Sequence, residues 1–220
     1  MTKVKICGIR SYDNALMVAE CGADLIGLNL FPQSPRFIDA ESAGDLARRL
    51  RARLGDHCPE LVGIFVNESA DQVRKLVASV GLDYAQLSGD ECPETLEELR
   101  GIAFKGIRPK TAEEAHRDAN GYLGAMTADA RMPSLLLDAF NPGLYGGTGE
   151  TAALDVALAL RDMAPRLMLA GGLNPDNVAQ RVRAIRPWGV DVASGVESGI
   201  PGFKDEDKVR AFIRRARTAN

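Results

Sequence analysis

Eight short apolar runs, each followed by a stretch of helical spacing, recur along this chain of 220 residues. The runs are Val4–Ile9, Leu25–Phe31, Leu61–Val66, Tyr84–Leu87, Phe104–Arg108, Leu135–Ala139, Leu167–Ala170 and Val190–Ala193. They are rich in Val, Ile and Leu, as buried strands are. The segments that alternate with them are Asn14–Glu20, Ala40–Arg53, Ala70–Val80, Pro93–Leu99, Thr111–Arg117, Thr151–Met163, Pro175–Ile185 and Asp205–Arg217. Their apolar positions repeat at the helical period, and several carry start signals: Ser69 before Ala70, Asn174 before Pro175, and Thr111 ahead of Glu113 and Glu114. Strict alternation implies a parallel sheet, because parallel neighbours need a crossover that returns the chain to the same end. Eight such units predict a closed (β/α)8 barrel, one domain over residues 1–220, near the lower size limit of that architecture. An open doubly wound sheet is the alternative. It usually carries a G-x-G-x-x-G turn after its first strand, where this chain has Cys7-Gly8-Ile9-Arg10. The stretch Asp118–Pro133 reads either as a continuation of the fifth helix or as a loop.

Composition narrows the class of partner. The chain is 45% hydrophobic and 26% charged, with a formal net charge of −3. No basic block stands out, so no nucleic-acid partner is expected. The arginines of Arg48–Arg53 and Arg210–Arg217 read as solvated helix faces. No run approaches the ~20 apolar residues of a membrane span, and the start Met1-Thr2-Lys3-Val4 lacks a signal-peptide pattern. A cytoplasmic protein with reduced thiols and no membrane partner is expected. The cysteines Cys7, Cys21, Cys58 and Cys92 form no C-x-x-C pair, and the histidines are His57 and His116, so no metal site is expected.

In a barrel of this kind the chemistry gathers at the C-terminal strand ends. Here those ends carry Cys7-Gly8; Ser34-Pro35-Arg36 after the second run; Asn67; Ser88-Gly89-Asp90; Arg108; Asp138; Gly171-Gly172; and Ser194-Gly195-Val196-Glu197 after Asp191. The ends at Gly172 and at Ser194-Gly195 read either as tight turns or as a phosphate cradle of bare backbone N–H groups. Gly146-Gly147-Thr148-Gly149 lacks the P-loop ending and reads as a connector or a substrate-hugging loop. Cys7 is either a small buried hydrophobe or, at the rim, a general base. Asp138 is either a structural partner or an acid whose pKa rises in a desolvated site. Arg36 is either exposed or a fork for a carboxylate or phosphate.

The ordered set Val4-Lys5-Ile6-Cys7-Gly8-Ile9, Ser34-Pro35-Arg36, Gly63-Ile64-Phe65-Val66-Asn67, Gln86-Leu87-x-Gly89-Asp90, Leu137-Asp138, Gly146-Gly147-Thr148-Gly149, Ala170-Gly171-Gly172-Leu173, Gly189-Val190-Asp191-Val192-x-Ser194-Gly195-Val196-Glu197 and Pro201-Gly202-x-Lys204-Asp205 resembles the phosphoribosylanthranilate isomerase family. The resemblance implies an Amadori rearrangement in tryptophan biosynthesis, with neither metal nor organic cofactor. It implies that Asp138 protonates the furanose ring oxygen, that Cys7 then removes the proton from the second sugar carbon, and that Arg36 faces the anthranilate carboxylate. Asp191 falls near the ribose hydroxyls, and Gly172, Ser194 and Gly195 on the phosphate. One departure is Ser88, where the family usually has histidine; another is Ala152 and Ala153, where it often has an aromatic. Two other functions stay open: an isomerase of another aminated phosphosugar, and a non-catalytic phospholigand-binding module. Monomer and homodimer are both compatible with the sequence.

Overall fold

The computed structural model describes residues 1–125, 129–138 and 147–219. Its strands are β1 (Lys3–Cys7), β2 (Leu25–Asn29), β3 (Glu60–Phe65), β4 (Tyr84–Leu87), β5 (Ala103–Ile107), β6 (Leu135–Asp138), β7 (Leu167–Ala170) and β8 (Gly189–Val192). The helices between and after them are α1 (Tyr12–Glu20), α2 (Ala40–Leu54), α3 (Ala70–Val80), α4 (Pro93–Glu98), α5 (Ala112–Leu123), α6 (Gly147–Met163), α7 (Val178–Ile185) and α8 (Glu206–Arg217). Every strand pairs in parallel with its sequence neighbours, and β8 pairs with β1, so the barrel is closed and the open-sheet alternative is excluded.

The start signals at Ser69 and Thr111 work as expected, whereas Asn174-Pro175 opens a turn, in which Asn174 Oδ1 accepts from the N–H groups of Asp176 and Asn177, and α7 begins only at Val178. Side chains of Ser11, Asp39, Ser69, Thr111 and Asp205 each accept a hydrogen bond from a first-turn N–H of the following helix, which satisfies donors that the helix itself leaves unpaired. Most element ends lie within three residues of the expected ones, and two segments differ by more or were left open. Helix α5 runs on to Leu123, taking up the first part of the stretch that the sequence left unassigned. Helix α6 begins at Gly147, so Gly147-Thr148-Gly149 belongs to a helix rather than a loop. Gly146 lies outside the described residues.

Two apolar layers hold the molecule. One lies between the barrel wall and the helices and includes Ile6, Ile26, Leu61, Leu137, Val190 and Phe212. The other fills the lower barrel with Leu25, Val62, Tyr84, Phe104, Leu136 and Met168, one from each of β2 to β7. Both strand faces are therefore dry, which is why the strands read as near-continuous apolar runs instead of alternating ones. Strand side chains alternate between the two faces. The positions two beyond the plug therefore point into the upper barrel, and on β4 and β6 they are the polar Gln86 and Asp138.

Candidate active site

Strand β1 sends Lys5 and then Cys7 into the barrel. Lys5 is fully buried. Its ammonium donates to Gln86 Oε1 on β4 at 2.8 Å and to Asp191 Oδ1 on β8 at 3.1 Å. Gln86 passes the chain on, donating from Nε2 to Ser88 Oγ at 3.0 Å. A charged row thus spans the barrel just above the apolar plug. Burial pulls the Lys5 ammonium down, but Asp191 and Cys7 outweigh it and the net shift is up. Burial pushes the Asp191 carboxyl up, against the pull of Lys5. Asp191 sits beside Lys5 in the strand register, one layer beneath the rim.

Cys7, half-buried, ends β1 at the next inward position. Its sulfur packs over Gly27 of β2, where an added Cβ would lie 2.7 Å from Sγ. Burial pushes the thiol up, while the cations Lys5 and Lys204 pull it back. Asp138 ends β6, two residues beyond Leu136 of the plug, and points into the same mouth. Arg108 Nε, from the end of β5, lies 3.3 Å from Asp138 Oδ2.

Arg36 comes from the turn between β2 and α2, where Ser34 Oγ accepts its backbone N–H at 3.1 Å. Its stem lies flat over the end of β1. A Cβ on Gly8 would meet Arg36 Cδ at 2.5 Å, so only glycine fits there. The guanidinium is a fork on a carboxylate: Nε donates to Glu197 Oε1 at 2.7 Å and Nη2 to Oε2 at 2.8 Å. Glu197 also accepts from Gly202 N at 2.8 Å and from Lys204 Nζ at 3.1 Å. Burial would raise the Glu197 carboxyl, but these donors, Arg36 first, hold it at about 2.

The ends of β7 and β8 meet as a pair. Gly171 and Gly172 take positive φ of 89° and 65°. Gly195 presses so close to the chain at Leu173 that an added Cβ would overlap the Leu173 carbonyl oxygen. Ser194 opens a single short helical turn and is exposed. The neighbouring Asn177 donates from Nδ2 to Gly172 O at 3.0 Å.

The structure thus gathers Cys7, Arg36, Asp138, Gly172, Ser194 and Gly195 at one mouth, with Asp191 below. Sequence reasoning did not single out Lys5, Gln86 or Lys204, and it quoted Glu197 without a role. Lys5 had a visible signal: Lys3, Lys5 and Cys7 alternate along β1, so a lysine shares the face of the candidate base. Among the described residues no three His, Cys, Asp or Glu side chains are grouped so as to hold a metal ion, and no helix is long and apolar enough to cross a membrane.

A family model described as N-(5'phosphoribosyl)anthranilate (PRA) isomerase matches residues 4–215. The N-(5'-phosphoribosyl)anthranilate isomerase of Citrifermentans bemidjiense is 42% identical over 217 residues, covering 99% of this chain and 98% of its own. That of a Roseiflexus species is 44% identical over 223 residues, covering 100% and 99%. The solved phosphoribosyl anthranilate isomerase from Thermotoga maritima has a TM-score of 0.84 at 35% identity, covering 99% of this chain and 100% of its own. A phosphoribosyl anthranilate isomerase in complex with reduced 1-(o-carboxyphenylamino)-1-deoxyribulose 5-phosphate has a TM-score of 0.82 at 33% identity, again covering 99% and 100%.

Proposed function

This chain belongs to the N-(5'-phosphoribosyl)anthranilate isomerase family, and from that premise we propose that Cys7 is the general base and Asp138 the general acid of its reaction. The reaction is an intramolecular aldose–ketose (Amadori) rearrangement in tryptophan biosynthesis. It turns N-(5-phosphoribosyl)anthranilate into 1-(2-carboxyphenylamino)-1-deoxyribulose 5-phosphate. Membership sets aside the two other functions that the sequence left open.

The observation that carries the assignment is the placement of the pair. Cys7 and Asp138 are the last inward side chains of β1 and β6, so an acid and a base face one mouth from different walls. Asp138 gives its proton to the furanose ring oxygen, the ring opens, and the anthranilate nitrogen takes up the electron demand as a Schiff base. Cys7 removes the proton from the second carbon, and the enolamine that results tautomerises to the ketone. A proton transfer of this kind typically contributes 10²–10⁴-fold in rate. Arg36 holds the anthranilate carboxylate, and the backbone at Gly172, Ser194 and Gly195 holds the phosphate, where oriented N–H groups favour an anion. Asp191, beside Lys5 and one layer beneath the rim, faces the ribose hydroxyls from below.

One domain over residues 1–220, acting as a monomer or homodimer in the cytoplasm, accounts for the reaction. The test is conversion of N-(5-phosphoribosyl)anthranilate, followed as loss of its fluorescence. Wild type turns it over, and Cys7→Ala and Asp138→Ala each lose most of the rate. Turnover by either variant near the wild-type rate would sink its assigned role.

A further inference from the structure

We infer that Glu197 is the positioning residue of the aryl-carboxylate subsite: it fixes the Arg36 fork before the ligand arrives, and so sets the enzyme's preference for an ortho-carboxylated aryl group. The inference rests on the reading of Arg36 given above.

Glu197 is 7% exposed and carries four hydrogen bonds on its carboxylate, from Arg36 Nε and Nη2, Gly202 N and Lys204 Nζ. A guanidinium offers five N–H donors in a planar fork. Glu197 engages two of them, which leaves both Nη1 hydrogens and one on Nη2 uncommitted to it. Because the fork is planar, fixing one edge fixes the direction of the other. An arginine side chain has large rotamer freedom, and freedom lost beforehand is not charged against binding. Gly8 supports the same geometry by giving the stem room to lie flat. The segment from Glu197 to Lys204 is closed on itself by an antiparallel bridge between those two residues, so the anchor is itself anchored. The Lys204 ammonium, buried, is further held by Ala193 O at 3.0 Å.

Charge alone makes the opposite prediction. Arg36, Lys204 and Glu197 together carry one net positive charge. Neutralising Glu197 adds to the positive field and should tighten any anion. Positioning requires that the same change weaken binding of the carboxylated ligand.

The test measures dissociation constants by calorimetry for two ligands, reduced 1-(o-carboxyphenylamino)-1-deoxyribulose 5-phosphate and its counterpart lacking the ortho carboxylate. Wild type should prefer the carboxylated ligand by on the order of 10–100-fold, the size of a hydrogen bond to a charged group. Arg36→Met should abolish the preference. Glu197→Gln should lose about tenfold of it, with the affinity for the other ligand unchanged. A preference kept or increased in Glu197→Gln overturns the inference and leaves the Arg36 reading standing. A preference kept in Arg36→Met overturns the Arg36 reading itself. If Glu197→Gln does not fold, Glu197→Gln/Lys204→Met removes the buried cation with the anion, and the same results decide.

Discussion

Where β8 closes against β1, the charges are buried, paired and fixed; where Arg108 and Asp138 reach the mouth from the ends of β5 and β6, they are open to water. On the first side Lys5 is wholly buried, Glu197 is 7% exposed, and the Arg36 side chain is 22% exposed. Each has partners at ordinary hydrogen-bond distance. On the second side the Asp138 side chain is 32% exposed and its partner Arg108 67%. The proposed base, Cys7, and the proposed carboxylate holder, Arg36, thus sit on a preorganised wall. The proposed acid, Asp138, sits on a wall that solvent still reaches. Charge on the first wall does structural and functional duty together. On the second wall it can be changed with little effect on the fold.

The largest expected effect treats both walls alike. Cys7→Ala and Asp138→Asn should each lower kcat by about 10²-fold or more in the fluorescence assay. If only one did, the division into base wall and acid wall would collapse. The walls separate in stability. Lys5→Met leaves Asp191 buried without its cation and should cost about 3–5 kcal/mol in urea unfolding, while Lys5→Met/Asp191→Leu should recover most of it. Arg108→Met should cost under about 1 kcal/mol, as for other exposed pairs. Equal losses at Lys5 and Arg108 would erase the contrast.

Acid titration sharpens the same point. The Glu197 carboxyl is held at about 2, below its ordinary 4.5. A depressed carboxylate adds stability that is fully present above the ordinary value and drains away as pH falls through the folded one. Between pH 5 and 2 wild type should therefore lose about 3 kcal/mol more than Glu197→Gln, measured by unfolding at stepped pH. The smallest effect is expected at Ser88. A cavity of about 410 Å³ beside it, bounded by Lys105, Arg108 and Tyr122, has room for an imidazole. Ser88→His should shift kcat/KM by less than about tenfold, since neither proton-transfer group is touched. A larger gain would mean that the serine limits the acid wall.

The barrel was legible because its signal is local and repeated eight times: each run is dry on both faces, and each cap is a side chain a few residues from the N–H it satisfies. The rim residues followed from their place at strand ends. What the pattern hid was who holds whom. Glu197 stands 161 residues from Arg36, and Asp191 stands 186 from Lys5, and no periodicity relates such pairs. Arg36 read as a free fork because its partner lies on the far end of the chain. The glycine segment after β6 read as a loop because its glycines disfavour helix; from Gly147 onward the chain nonetheless turns as α6. Lys5 was the exception that strand alternation alone could have exposed.

The bond between Lys5 and Asp191 has a consequence for how the chain is made. It ties β1 to β8, so a growing polypeptide carries Lys5 without its counter-charge until residue 191 has emerged. At about 5–20 residues per second, that is a wait of roughly 10–40 s. Throughout it the half-built wall keeps two open edges, each able to pair with the wrong strand. The barrel therefore closes late and all at once. Protease resistance in ribosome-arrested chains should appear only in those long enough to have released β8.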